Sequence, residues 1–146
     1  MRKIASKLAL FASRDDRSGT HAREIELWKR AAIAPGGRRW YVATGQGMGE
    51  TMRIASEMRA YTLSDRGTFL ALKKTLDLAV LVEGTPDLRN SYRVIVVSPE
   101  KNPKARVAEA KRFAEWLVSD EAQKAIAVFG KEKFGEALFV PDAKKG

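Results

Sequence analysis

The stretch Ser13-Arg14-Asp15-Asp16-Arg17-Ser18-Gly19-Thr20-His21 follows a short apolar run at residues 8–12 and precedes a pattern in which Ile25, Trp28 and Ala32 recur on one helical face. A stretch so placed lies where a strand hands over to a helix. That junction suits an anion, because the first helical turn leaves backbone N–H groups unpaired at the positive end of the helix dipole. Ser18 and Thr20 add hydroxyl donors and Arg14 a planar guanidinium. A fully ionised tetrahedral oxyanion accepts hydrogen bonds and donates none. These are therefore the residue types its recognition requires, without a metal or a nucleophile. The same spacing also fits a plain N-cap beside surface charges.

The pattern repeats downstream. Trp40-Tyr41-Val42 reads as a strand that runs into Thr44-Gly45-Gln46-Gly47-Met48-Gly49, after which Met48, Met52 and Ala55 give helical spacing to about Arg59, with Met48, Met52 and Met58 as core filling. Ala60-Tyr61-Thr62-Leu63 is a strand ending in Ser64-Asp65-Arg66-Gly67-Thr68, followed by a brief helix through Phe69, Leu70 and Leu72. The first helix is expected to start near Ser18 or Thr20 and to stop before Pro35-Gly36-Gly37. Residues 78–82 and 92–98 are apolar runs, the first continuous as in a strand covered on both faces. Val107, Ala110, Ala114 and Leu117, broadened by Phe113 and Trp116, predict an amphipathic helix over residues 104–118. Ser119 then caps a further helix, with Asp120 and Glu121 in its first turn and Gly130 as its stop, and Leu138-Phe139-Val140-Pro141 is a last extended piece. Strands alternating with helices make the chain α/β, with a mostly parallel sheet flanked by helices. In such a sheet the loops at residues 13–20, 44–49 and 64–68 all follow strands and converge on one edge.

With 146 residues the chain is one domain by length and buries roughly 68–70% of its extended surface. The lack of cysteine excludes disulfides and thiolate metal sites, and a single histidine excludes a His-rich zinc site. The net charge of +9 is uneven: residues 1–73 hold 14 Lys/Arg against 7 Asp/Glu, whereas residues 74–146 hold 13 against 11. That bias concentrates anions near the first motif. Gly45-x-Gly47-x-Gly49 is followed by Glu50 where a dinucleotide fingerprint wants glycine or alanine, which speaks against a nucleotide cofactor. Asp16, Ser18 and His21 have the makings of a hydrolase triad but crowd one turn, so no catalytic residue is assigned. Without a Lys/Arg stripe or a known binding motif, no specific nucleic-acid partner is expected. No stretch reaches the roughly 20 apolar residues of a membrane span, and Lys7 interrupts what would otherwise resemble a signal peptide. As written, the chain is expected to be soluble and, without an export signal, cytoplasmic.

These loops and their surroundings resemble the tungstate-binding proteins of ABC importers, a branch of the type II periplasmic binding proteins. The likeness runs nearly end to end. It rests on residues 13–21, on Trp40-Tyr41 with residues 44–49, on residues 60–68, on Leu81-Val82-Glu83-Gly84 and Val97-Ser98-Pro99-Glu100-Lys101, and on Phe129-Gly130-Lys131-Glu132-Lys133-Phe134-Gly135 with Pro141-Asp142. The resemblance implies a tungstate or molybdate ligand held by Arg14 and Thr20, with Ser18 and Gly19 shaping the turn and Asp16, Thr44, Gly45, Asp65 and Arg66 behind them. It also implies an ABC permease as partner, no cofactor and an extracytoplasmic location. Asp15 stands where that family usually has glycine, which brings a negative charge near the anion.

Members of that family are about twice this long and close two lobes on the ligand. By the resemblance, residues 8–90 correspond to the second lobe and residues 91–143 to the strand and helices that return to the first. An apolar seam of Val107, Ala110, Phe113, Ala114, Leu117, Ile126 and Phe129 is then left uncovered, and self-association or a swapped dimer is expected. A detached small-ligand sensor, or a remnant binding domain without transport activity, is the alternative expectation.

Overall fold

A computed structural model describes residues 1–143, so the basic Lys144-Lys145-Gly146 tail lies outside the described residues. The chain divides into two compact units, Met1–Asp87 and Leu88–Gly146.

The first unit is built on β1 (Phe11–Ser13), with β2 (Tyr41–Ala43) and β3 (Tyr61–Thr62) beside it, all parallel, in the order β2-β1-β3. Helix α1 (Arg2–Ser6) precedes β1, α2 (Gly19–Arg30) joins β1 to β2, and α3 (Met48–Glu57) joins β2 to β3 across β1. Helix α4 (Arg66–Leu72) follows β3. The fold class expected from the sequence is thus present, as α/β with a small parallel sheet flanked by helices.

The two-residue period of β1 decides what each face buries. Phe11 and Ser13 meet α2, where Trp28 and Glu24, four residues apart, lie on one face. Ala12 points the other way and packs with Ala55 of α3 and with Ala60. The Phe11–Trp28 and Trp28–Trp40 ring centroids are 5.1 and 5.4 Å apart, and Trp28 is only 1% exposed. Burying such a side chain contributes on the order of 2–3 kcal/mol.

Several expectations need correction here. Of the expected α2 face only Trp28 is buried: Ile25 is exposed, and Ala32 lies beyond the helix. The helix stops at Arg30, well before Pro35, because Ala32 takes a left-handed backbone (φ 58°) and Ile33 N–H bonds back to Trp28 O at 3.1 Å. This is the paired closing bond of a Schellman turn, made here without glycine. Met48 and Met52 fill the core as expected, but Met58, just past the end of α3, is exposed. The run at residues 78–82 forms no strand, and Leu81 is 69% exposed. Residues 92–98 likewise form no strand, with Ile95 at 81% exposed. An unbroken apolar run says that side chains gain from cover. It does not supply the neighbouring backbone that a ladder needs.

The second unit contains α5 (Val107–Leu117), α6 (Asp120–Val128) and α7 (Lys131–Phe134). Ser119 caps α6, its hydroxyl accepting from Ala122 N–H at 3.3 Å. Gly130, at φ 92°, follows α6 as the expected stop and also caps α7, a helix that the sequence pattern did not announce. A Cβ at Gly130 would meet Leu138 Cγ at 2.6 Å, so the position needs glycine twice over. Phe113, Trp116 and Phe129 are exposed, whereas Val107, Ala110, Ala114, Leu117 and Ile126 are partly buried, so the expected bare seam is only partly open.

Candidate functional site

A parallel sheet delivers all its strand ends to one edge. The loops after β1, β2 and β3 therefore emerge together at the carboxyl edge of the sheet, with β1 in the centre.

The central loop begins at the buried Ser13. Its two non-glycine residues Asp15 (φ 48°) and Arg17 (φ 61°) take left-handed conformations, which fold it tightly. Each such residue costs roughly 1–2 kcal/mol unless its surroundings hold it. Two bonds do so here: Asp15 N–H donates to Ser13 Oγ at 3.2 Å, and Arg17 N–H donates to His21 Nδ1 at 3.1 Å. The His21 ring lies 3.5 Å from Asp15 through Nε2. Ser18 is the N-cap of α2, its hydroxyl accepting from His21 N–H at 3.3 Å, so it meets the His21 backbone and not its imidazole. This leaves the amides of Gly19 and Thr20 at the head of α2, outside the helical ladder.

Arg14 extends from the loop into partial burial, its side chain 18% exposed. One guanidinium nitrogen, Nη2, donates to Asp16 Oδ2 at 2.5 Å. Its Nε–H is buried and has no hydrogen-bond partner among the described residues. Asp16 in turn accepts from Ser18 N–H at 3.1 Å. Its carboxyl is lowered from 3.8 to about 2, chiefly by the Ser18 hydroxyl; desolvation opposes this, and the Ser18 amide and Arg14 add to it. Asp16 is therefore an anion at neutral pH that steers Arg14 and ties the loop to the helix start.

The loop after β2 braces this one. Thr44 donates through N–H and through Oγ1 to Ser13 O, both at 2.9 Å, and its Oγ1 lies 2.9 Å from Thr51 Oγ1. Gly45 turns the chain with φ 65°. Asp65 caps α4, accepting from Thr68 N–H and Thr68 Oγ1 at 2.8 Å each, and Arg66 pairs with Glu83 at 2.9 Å. Thr44 is thus tied directly to the central loop. Asp65 and Arg66 are engaged with their own surroundings.

One buried group lay outside the sequence reading. Glu24 is 2% exposed and accepts from Ser13 Oγ at 2.7 Å, Tyr41 OH at 2.7 Å and Trp28 Nε1 at 3.1 Å. Burial first, with help from this carboxylate and against the opposing pull of Ser13, raises the Tyr41 hydroxyl above its ordinary value. A glutamate four residues before a tryptophan on the buried stripe was the available signal. It is easily mistaken for a solvated face.

A hollow of about 300 Å³ beside the loop is lined by Asp15, His21, Ile25, Tyr41 and the Pro35-Gly36-Gly37 turn. A larger one of about 510 Å³ in the second unit is lined by Ile95, Val97, Arg106 and Glu109, and there Arg106 already donates to Glu109 at 2.8 Å. No group of three or more His, Cys, Asp or Glu suited to a metal occurs among the described residues. Nor is any helix among them long and apolar enough to cross a membrane.

The sequence profile of the PBP superfamily domain matches residues 2–121. The chain is 46% identical over 145 residues to the tungstate-binding protein TupA of Peptoclostridium acidaminophilum, covering 99% of this chain and 50% of that protein. It is 36% identical to the tungstate-binding protein TupA of Campylobacter jejuni, covering 97% of this chain and 53% of that protein. Among solved structures, the tungstate-binding protein TupA of Desulfovibrio alaskensis superposes with a TM-score of 0.84 at 41% identity, over 98% of this chain and 58% of that one. The chain spans about half the length of the curated relatives it matches.

Proposed function

Because the chain belongs to the PBP superfamily-domain family, we propose that it is the oxyanion-binding component of an ABC importer in single-lobe form, with tungstate as its first ligand and molybdate behind it. Arg14, Ser18, Gly19 and Thr20 hold the anion, and Asp16, Thr44, Gly45, Asp65 and Arg66 support the loops around it. The carrying observation is the buried Arg14 Nε–H without a partner. Leaving such a donor unmet costs about 1–3 kcal/mol, and an anion that accepts its bond recovers that cost on binding. The names of relatives at 46% and 36% identity support tungstate as the anion.

In this reading residues 8–90 form one lobe and residues 91–143 the segment that returns to the other. The role is binding without catalysis, delivery is to a permease, and the working location is extracytoplasmic. The open apolar side chains of Val80, Leu81, Val82, Phe113 and Phe129 support this reading.

Calorimetric titration of the full chain with tungstate, molybdate, sulfate and phosphate at low salt tests the assignment. Tungstate should bind tightest, as the names of the relatives suggest, and phosphate, which keeps a proton near neutral pH, weakest, since a site made of donors has no acceptor for it. Arg14→Ala should weaken binding about 100-fold or more, the loss expected of two charge-assisted bonds. Binding of none of the four by the unmutated chain would overturn the proposal.

A further inference from the structure

Glu24 is a buried carboxylate beside a site proposed for an anion, where its charge alone would be unfavourable. It is also several residues removed from the binding loop. Its bonds explain its presence. One carboxylate oxygen, Oε1, takes Trp28 Nε1–H and the Tyr41 hydroxyl, and the other, Oε2, takes the Ser13 hydroxyl at 2.7 Å. An ionised carboxylate accepts at both oxygens and donates at neither, so it fixes the direction of the single Ser13 hydroxyl proton. With that proton committed to Glu24, the Ser13 oxygen presents its lone pairs to the chain, and Asp15 N–H donates to it at 3.2 Å. That bond helps hold Asp15 in its left-handed conformation, and Arg14 lies between the two residues so joined.

We infer that Glu24 is a positioning residue for anion binding: through the Ser13 hydroxyl it sets the turn at Asp15 and with it the direction of Arg14. The inference rests on the oxyanion reading of the site. It assigns Glu24 and Ser13 to one coupled relay that touches no ligand. A glutamine at position 24 keeps the shape but not the polarity. Its amide group would donate to the Ser13 oxygen, compete with Asp15 N–H for that oxygen, and leave the Ser13 proton to seek another acceptor. Mere filling of space would be preserved by glutamine; the relay would not.

The experiment uses the full chain and its Glu24→Gln, Ser13→Ala and doubly substituted forms. Leu70→Val serves as a control that perturbs the core at α4, away from the donors to Glu24. Tungstate affinity and thermal melting are measured on each. Glu24→Gln and Ser13→Ala should each weaken tungstate binding about tenfold. The double variant should lose little more than either single one, as residues in one network do. Leu70→Val should lower the melting temperature and leave affinity within about twofold. Unchanged affinity in Glu24→Gln and Ser13→Ala, or additive losses in the double variant, would overturn the relay. If the unmutated chain binds no oxyanion, the functional reading fails by itself. The relay is then decided by the Asp15 amide and Arg14 Nε–H resonances of the ligand-free protein. Movement of both in Glu24→Gln but not in Leu70→Val supports it, and unmoved resonances, or the same movement in both variants, refute it.

Discussion

Arg14 and its two acidic neighbours divide the work of the central loop. Asp16 bonds to Arg14 Nη2 and to Ser18, whereas Asp15 occupies a left-handed position and adds a negative charge beside Arg14, its carboxylate 3.5 Å from His21 Nε2. Glycine adopts the φ of 48° at Asp15 without strain. Asp15→Gly should therefore tighten tungstate binding about threefold or more, with the gain fading as salt is added; titration at two ionic strengths checks this. The sign of the Asp16 contribution follows from its lowered carboxyl. A group whose pKa falls on folding stabilises the fold above its unfolded value and stops doing so as pH drops through the folded one. The stability that Asp16 adds should thus be complete above about pH 4 and vanish as pH falls from 3.8 towards 2. Melting curves of the unmutated chain and Asp16→Asn should converge over that interval.

Helices α1, α2 and α3 share one ending, and it governs how far the sequence could be read. After each comes a left-handed non-glycine residue, Leu8, Ala32 or Arg59, and the next amide closes back on the helix: Ala9 to Ile4, Ile33 to Trp28, and Ala60 to Ala55 at 2.8 Å. The usual punctuation for such an ending is glycine. Its absence is why α2 reads from sequence as running on towards Pro35. Ala32→Gly and Arg59→Gly should each stabilise the chain by about 0.5–1 kcal/mol, the relief of the strained φ less the added freedom of the unfolded chain; chemical denaturation with an unchanged slope measures it. Where the chemistry of an ending is written in the residue type, sequence reading succeeded, as with Ser18 capping α2 and Ser119 capping α6. The three strand–loop junctions were also legible, since a short apolar run before a polar, glycine-bearing loop has few other uses. Glu24 was not legible, because a buried glutamate and a solvated one look alike until the donors that satisfy it are placed around it.

For the chain as a whole, the unequal treatment of its apolar residues is the governing fact. Phe11, Trp28 and Trp40 are enclosed, but Val80, Leu81, Val82, Ile95, Phe113 and Phe129 are open to solvent. Exposed side chains in such number favour association. Sedimentation at tens of micromolar should show dimers or larger species that dissociate on dilution, accompanied by binding of an apolar dye to the monomer; a monomer that ignores the dye would contradict the single-lobe proposal. The sheet adds a consequence of its own. Among the described residues both outer strands pair with β1 and with no other strand, and Ala12 at its middle is fully enclosed. Ala12 thus acts as a common pivot for the rim of loops that the proposal gives to the anion. One extra methyl group there would press on Ala55 of α3, lift that helix off the sheet and disturb the loop that leads into it, whereas rewriting a single rim segment leaves the other two aimed as before. Selectivity for a larger or smaller guest is therefore most economically retuned at the rim, with the pivot left alone.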